Sequence, residues 1–202
     1  MYSPFPFACL LLIAGFVASG FSADEPRPPL TKKEKAEVFK LIEESKEFKE
    51  AASGKKKVVP ASAWSYREKD GKREVEFVET LHFNYNNNQT IRTLYNRTDK
   101  RVVRVESLEA YPTPLADEEL ERAKKIAEKE SKPLGEFLSK HREARITVTN
   151  LTPIVADRKN PLFGKRLAIL TYRVQPDPNQ PKRVPESFTV RVNLSDEVLL
   201  NN

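Results

Sequence analysis

Apolar residues recur along this chain at two spacings, and the switch between them lays out the fold. Three prolines in residues 24–30 forbid a helix there and make an extended linker. Thr31-Lys32-Lys33-Glu34 then reads as a capping box, in which the Thr hydroxyl accepts the Glu34 amide proton and the Glu side chain reaches back. Behind it Val38, Leu41, Ile42, Ser45 and Phe48 recur at helical spacing, predicting one helix that runs to Ser53-Gly54. The period then falls to two. Residues 58–66 are apolar and aromatic, and Asp70-Gly71 is a turn. From Val75, the residues Phe77, Leu81, Phe83 and Tyr85 alternate with Glu76, Thr80, His82 and Asn84, predicting a strand with one solvated face. Asn86-Asn87-Asn88 turns the chain, residues 90–95 form a strand, Thr98-Asp99-Lys100 turns again, and residues 102–108 close the set.

The pattern then restarts. Pro114-Leu115 leads into Asp117-Glu118-Glu119, whose charges suit a helix N-terminus. Leu120, Ala123, Ile126 and Ala127 supply its apolar stripe, and residues 134–140 form a second helical piece after Pro133. Strands follow at residues 146–155, 167–174 and 188–194, the last two joined by a proline-rich loop at 175–186 that reads as an exposed arm. The halves match in order and in detail. Pro29-Leu30 answers to Pro114-Leu115, and Asn96-Arg97-Thr98-Asp99-Lys100 answers to Asn193-Leu194-Ser195-Asp196-Glu197. The expectation is an α+β fold of two tandem helix-on-antiparallel-sheet units, residues 31–111 and 112–202, produced by duplication. The competing reading is that any α+β chain with Asp-containing turns looks self-similar. Val198-Leu199-Leu200 is too short for a free strand, so it should pair at a sheet edge or fray.

Charge and composition add a destination. The chain has 35 Lys and Arg against 29 Asp and Glu, and the excess is dispersed. A dispersed excess favours solubility and weak adhesion to anionic polymers over specific nucleic-acid readout. Residues 1–23 carry no charged side chain, and residues 5–18 are apolar but for Pro6 and Gly15. That run has the length of a signal-peptide core, with small residues Ala18, Ser19, Gly20, Ser22 and Ala23 placing cleavage before Asp24. A retained N-terminal anchor is the alternative. The single cysteine, Cys9, lies inside this segment, so the exported chain has no disulfide. A secreted or periplasmic protein is expected, not integral to the membrane once the signal is cleaved.

A helix wrapped by a meander of long strands resembles the cystatin-like folds, and the export-associated PepSY domains look similar. A narrower resemblance rests on Asn84-Tyr85 through Leu94-Tyr95, on residues 102–105, and on Pro112-Thr113-Pro114-Leu115 followed by the Asp117-Glu118-Glu119 helix entry. This run is similar to the small N-terminal domains of copper amine oxidases. The resemblance covers about half the chain and implies a fold and a non-catalytic role, since in those oxidases such domains lie outside the catalytic one. Thr80-Leu81-His82-Phe83-Asn84-Tyr85 is similar to the Thr-x-x-Asn-Tyr-acid-Tyr segment that makes their quinone cofactor. Its spacing is one residue too long, Asn86 stands where an acid belongs, and no second Tyr follows. Copper there would need three histidines. This chain has two, His82 and His141, each expected at a surface strand or helix end.

Other chemistries find little footing. No Gly-x-Ser-x-Gly elbow occurs, and with 6 glycines there is neither a phosphate-cradling loop nor a dinucleotide fingerprint. The expectation is therefore not an enzyme, with no catalytic, cofactor-binding or metal residues. Two features suggest contacts. Lys55, Lys56, Lys57, Arg67, Lys69, Lys72 and Arg73, interleaved with Trp64 and Tyr66, could bind an anionic polymer. The alternative is a solvated turn beside a core Trp. Asn-x-Ser/Thr sequons at Asn88, Asn96, Asn150 and Asn193 would be glycan acceptors in a eukaryotic secretory pathway. The expected function is an exported binding or accessory module that contacts a protein or peptide partner by strand addition, at exposed sheet edges or the loop at 175–186. The alternatives are an accessory domain or fragment related to a copper amine oxidase, and adhesion to anionic polysaccharide.

Overall fold

A computed structural model describes residues 29–70, 73–176 and 186–200. The expected signal peptide, most of the linker, Gly71, Lys72 and the centre of the proline-rich loop lie outside the described residues. The chain runs α1 (Lys32–Glu44), α2 (Lys46–Ala51), β1 (Val58–Asp70), β2 (Arg73–Asn84), β3 (Gln89–Asn96) and β4 (Arg101–Glu109). It continues with α3 (Asp117–Glu130), α4 (Lys132–Lys140), β5 (Ile146–Leu151), β6 (Leu167–Val174), β7 (Ser187–Asn193) and β8 (Val198–Leu200). Two four-stranded antiparallel meanders result, in the orders β1-β2-β3-β4 and β5-β6-β7-β8. No described helix is long and apolar enough to cross a membrane.

Local chemistry explains the first helix. The Thr31 Oγ accepts the Glu34 amide proton at 3.2 Å, and the Glu34 carboxylate accepts the Thr31 N–H at 3.0 Å. The Thr31 N–H, the Thr31 hydroxyl donating at 2.8 Å, and Arg97 at 3.1 Å hold the Glu34 carboxyl down at about 2. The single helix expected to reach Gly54 is in fact two. Ser45 adopts extended dihedrals and its Oγ accepts the Phe48 amide proton, ending α1 and capping α2. The break turns Phe48 inward beside Val38 and Ile42, while Leu41 is 42% exposed. Leu30, expected in the linker, joins this core.

The second half repeats these devices. Glu119 stands at the third helical position of α3, as Glu34 does in α1, and accepts the Ala116 N–H at 2.9 Å. Ala123 and Ala127 occupy the places of Val38 and Ile42, Ser131 caps α4 as Ser45 caps α2, and Leu134 is buried where Phe48 is. The turns after β3 and β7 share their main bonds. Asn96 donates to Asp99 and Asn193 to Asp196, each at 2.9 Å, and Lys100 and Glu197 take φ values of 53° and 56°. β8 pairs with β7 through Val198, Leu199 and Leu200. β5 is shorter than expected: it ends at Leu151, before Pro153, and residues 152–155 run alongside Phe83.

The two sheets are buried differently. The second has one covered face, where Ala168, Leu170, Tyr172, Val190 and Val192 meet Ala123, Ala127 and Leu134. In the first, β2 is buried on both faces near its end. The face expected to be solvated carries Thr80, His82 and Asn84, each 0% exposed, beneath α1 and α2. The opposite face carries Leu81, Phe83 and Tyr85, and Val59, Phe83 and Tyr85 belong to the core of the second half.

His82 follows from that burial and is not a surface residue. Its ring lies between Phe39 and Phe48, with centroids 5.0 and 4.5 Å away. Neither ring nitrogen has a hydrogen bond, and the Glu43 carboxylate stands 3.6 Å from Nε2. Burial pushes its pKa below the ordinary 6.5, against the upward pull of Glu43. Above 6.5 both folded and unfolded states hold it neutral, and no stability is lost. As the pH falls from 6.5 toward the depressed folded value, the unfolded chain binds the proton first, so stability declines through that window. His82→Leu should remove that component. The check is urea unfolding at neutral and mildly acidic pH: the variant should gain on the wild type as pH drops, and parallel profiles would refute the account.

Candidate functional site

The most concentrated polar chemistry lies where the halves meet. Arg166 precedes β6, Glu119 lies in the first turn of α3, Tyr85 follows β2, and Thr113 and Pro114 belong to the connection between the halves. Arg166 and Glu119 are 2% and 1% exposed. The guanidinium donates to the carboxylate through Nε at 3.0 Å and Nη2 at 2.7 Å. It also donates to the Thr113 carbonyl at 2.9 Å, to the Thr113 hydroxyl and to the Pro114 carbonyl at 2.7 Å. The Tyr85 hydroxyl completes the carboxylate shell, donating to Oε1 at 2.5 Å. Arg166 also lies 4.7 Å from the Phe83 ring centroid, and Arg122 lies 4.9 Å from that of Tyr85.

Energetics decide what this cluster can do. Burial alone would raise the Glu119 pKa. The bonds and charge of Arg166, with the Tyr85 hydroxyl and the Ala116 N–H, outweigh it and hold the carboxyl below its usual range. Burial and the neighbouring Glu119 push the Tyr85 phenol up. An Arg has five N–H donors, and here five bonds occupy them. No N–H of Arg166 is left over, and its bonds tie α3 and the connection at Thr113 and Pro114 to the start of β6. A rim of contacts supports it: Lys57 with Glu118 at 2.5 Å, Arg158 with Glu109 at 2.6 Å, and Ser195 Oγ donating to Asn88 Oδ1 at 2.7 Å.

Sequence reasoning placed Glu119 at a helix start but missed its partners. Arg166 looks like an ordinary surface cation before a strand, and Tyr85 like the last apolar residue of one. The quinone-like segment divides between the two faces of its strand. Asn84 lies on the β2 face under the helices and donates to the Ala51 carbonyl, while Tyr85 points the other way to Glu119. His141 ends α4 with Nε2 3.1 Å from Glu186, in the half that does not hold His82. Among the described residues, no group of three His, Cys, Asp or Glu side chains is arranged to hold a metal ion.

The basic and aromatic residues fall into separate places. Lys55, Lys56 and Lys57 precede β1, whereas Arg67, Lys69 and Arg73 lie at its far end, by the β1-β2 turn. Ten residue steps separate Lys57 from Arg67, about 33 Å at the usual rise. Arg67 pairs with Glu74 at 2.6 Å and Arg73 with Asp99 at 2.5 Å. Trp64 is 40% exposed on β1, and Tyr66 stacks on Phe77 at 5.7 Å. Lys72 lies outside the described residues.

The sequons separate by accessibility. Asn96 and Asn193 are buried, with their amide nitrogens donated to Asp99 and Asp196. Asn88 is half-buried against Ser195. Asn150 is exposed on the edge strand β5. Expressed in a eukaryotic secretory host, the folded product should carry glycan at Asn150 and none at Asn96 or Asn193. Site-resolved mass spectrometry checks this, and occupied Asn96 or Asn193 in folded protein would contradict it.

With this geometry in hand, the chain can be compared with known proteins. No protein-family model matches the chain, and no curated protein matches it. Among solved structures, the chain is similar to the crystal structure of a copper-containing benzylamine oxidase from Hansenula polymorpha, with a TM-score of 0.54 and 11% sequence identity. The match covers 85% of this chain and 29% of that one, so the chain spans under a third of the oxidase's length. At that identity the likeness is one of fold: these two helix-and-sheet halves are built like part of a copper amine oxidase chain.

Proposed function

We propose that the chain is an exported, non-catalytic binding or accessory module that contacts a protein or peptide partner. The observation behind this reading is that the best-formed polar cluster is spent internally. Arg166 and Glu119 saturate each other and the connection between the halves, while each sheet keeps two edge strands. Edge strands carry backbone donors and acceptors that can pair with an added strand. The test is a pull-down of the full chain from envelope or secretome extract. A stoichiometric partner supports the module. Turnover of a substrate by the purified chain, with no partner above background, overturns it.

The fold likeness favours one specific alternative, an accessory domain of, or fragment related to, a copper amine oxidase. That reading expects association with a catalytic chain or stoichiometric metal or quinone, which elemental analysis and a redox-cycling stain decide. Adhesion to anionic polysaccharide is less favoured, because the cations lie at two ends of β1 and several are already paired. Heparin-column elution unchanged by Lys55, Lys56 and Lys57 to Glu would dismiss the Lys cluster's part in it. On architecture, we propose that the halves are duplicated cystatin-like or PepSY-like units, a reading supported by their shared caps, core positions and Asn-x-x-Asp turns.

A further inference from the structure

Of the strands at the edges of the two sheets, β1 is the longest, with 13 residues. It pairs with β2, and among the described residues no strand lies along its other side. Sheet edges are commonly blunted by proline, bulges and charge, and β1 carries all three toward its ends. Pro60 and the register shift between Pro60 and Ser62 lie near its start, and Arg67, Glu68 and Lys69 lie near its finish. Residues 62–66 between them have none of these. That uncharged stretch holds the single Trp of the chain, Trp64, which is 40% exposed.

The hydrogen-bond phase of β1 follows from its neighbour. Tyr85 donates to the Lys57 carbonyl, whereas Arg97 donates to the Glu76 carbonyl. Bonded pairs alternate along an antiparallel ladder, so the odd-numbered residues of β2 bond β1 and the even-numbered ones bond β3. Trp64 stands opposite Glu79 and Tyr66 opposite Phe77. Trp64 and Tyr66 therefore bond inward, and Ala63, Ser65 and Arg67 turn their N–H and C=O groups outward. Outward groups at every second residue match those of an identical strand run antiparallel about a two-fold axis.

We propose that the chain forms a homodimer in which two copies of β1 pair antiparallel about an axis at Ser65, joining their first sheets into one. Side chains fix that register. Ser65 meets its own copy, and Ala63 meets Arg67 of the second copy, so the outward groups exchange bonds. On the face away from α1 and α2, Trp64 meets Tyr66 of the second copy, which extends the stack of Tyr66 on Phe77. Glu68 meets Ser62 there, and no like charges face each other. An axis at Arg67 would set Arg67 against itself. One at Glu68 would set Glu68 against itself and Arg67 against Lys69. An axis nearer the start of the strand would run the ladder into Pro60 and the bulge. Such a dimer occupies β1 and leaves the binding of a different protein to the other edges.

Sedimentation equilibrium of the full chain, with Trp64 emission followed over the same concentrations, tests this. The expected results are a dimer mass and a blue shift as Trp64 leaves water. Ser65→Pro removes an outward N–H and keeps the β2 ladder, so the dimer should weaken about tenfold or more. In a Cys9→Ser background, Ser65→Cys should cross-link to its copy on oxidation. Bonded pairs stand about 5.5 Å apart between Cα atoms, within disulfide range. Lys69→Cys should not cross-link, since eight residue steps put it about 27 Å from its copy. Should Ser65→Pro fold poorly, the two cysteine variants decide the question. A monomer at about 100 μM, or equal cross-linking at both positions, overturns the proposal. A dimer with unshifted Trp64 emission, or one that Ser65→Pro leaves unchanged, has a different interface and overturns it as well. A pull-down that yields no other protein counts against the partner-binding reading alone.

Discussion

Arg166→Ala should destabilise the fold by about 3–5 kcal/mol, because it leaves the Glu119 carboxylate buried without its counter-charge. The alternatives open to Glu119 are few. Its site is 1% exposed, and the Tyr85 hydroxyl and the Ala116 N–H are its remaining donors. The carboxyl should take up a proton, so the variant's stability would no longer depend on the depressed Glu119 pKa. In the wild type that contribution is present above the ordinary carboxylate value of 4.5 and is lost as pH falls through the lower folded value. The acid limb of the stability profile should therefore be shallower in the variant. Replacing both partners by apolar residues, Arg166→Met with Glu119→Leu, should recover much of the loss, since a buried pair often contributes little net stability. Urea unfolding followed by Trp64 fluorescence measures all three proteins. A single-variant loss below about 1 kcal/mol would mean that the cluster is incidental.

The second large effect sits beneath α1. Ile42→Ala should cost about 2–5 kcal/mol, the range for emptying a fully buried aliphatic site. Ile42 is 0% exposed and packs with Val38, Phe48, Val78, Ile91 and Tyr95. Its neighbour Leu41 is 42% exposed, and Leu41→Ala should stay within about 0.5 kcal/mol. The pair is a sharp comparison because helical periodicity put both residues on one stripe. Similar losses at both positions would show that α1 packs with a different rotation.

That contrast also marks how far the sequence carried. Features encoded by neighbours were legible: the Thr31 capping box, the acidic start of α3, and the turns at Asn96 and Asn193, whose bonds span two or three residues. The strand order of the first sheet followed from the alternating runs and the turns between them. What failed depended on residues far away in the chain. Ser45 was counted as part of an apolar stripe, although its own hydroxyl ends one helix and starts the next. Thr80, His82 and Asn84 spelled a solvated face because a half-polar strand is usually half wet. Two helices from upstream cover that face instead, and their apolar rings surround the imidazole. Arg166 and Glu119 meet across 47 positions. No local pattern encodes such a meeting, and a lone Arg before a strand is almost always solvated.

Val59, Phe83 and Tyr85 are supplied by the first half and buried in the core of the second, so the chain has two topological units but not two independent ones. Severed in the connection around residues 110–114, the pieces would behave as a split protein. Each alone would show the other's binding surface to solvent and tend to self-associate. Produced together, they should recognise one another through the Arg166 and Phe83 contacts and restore a single body. Such complementation needs no engineered interface, because the seam between the halves already is one.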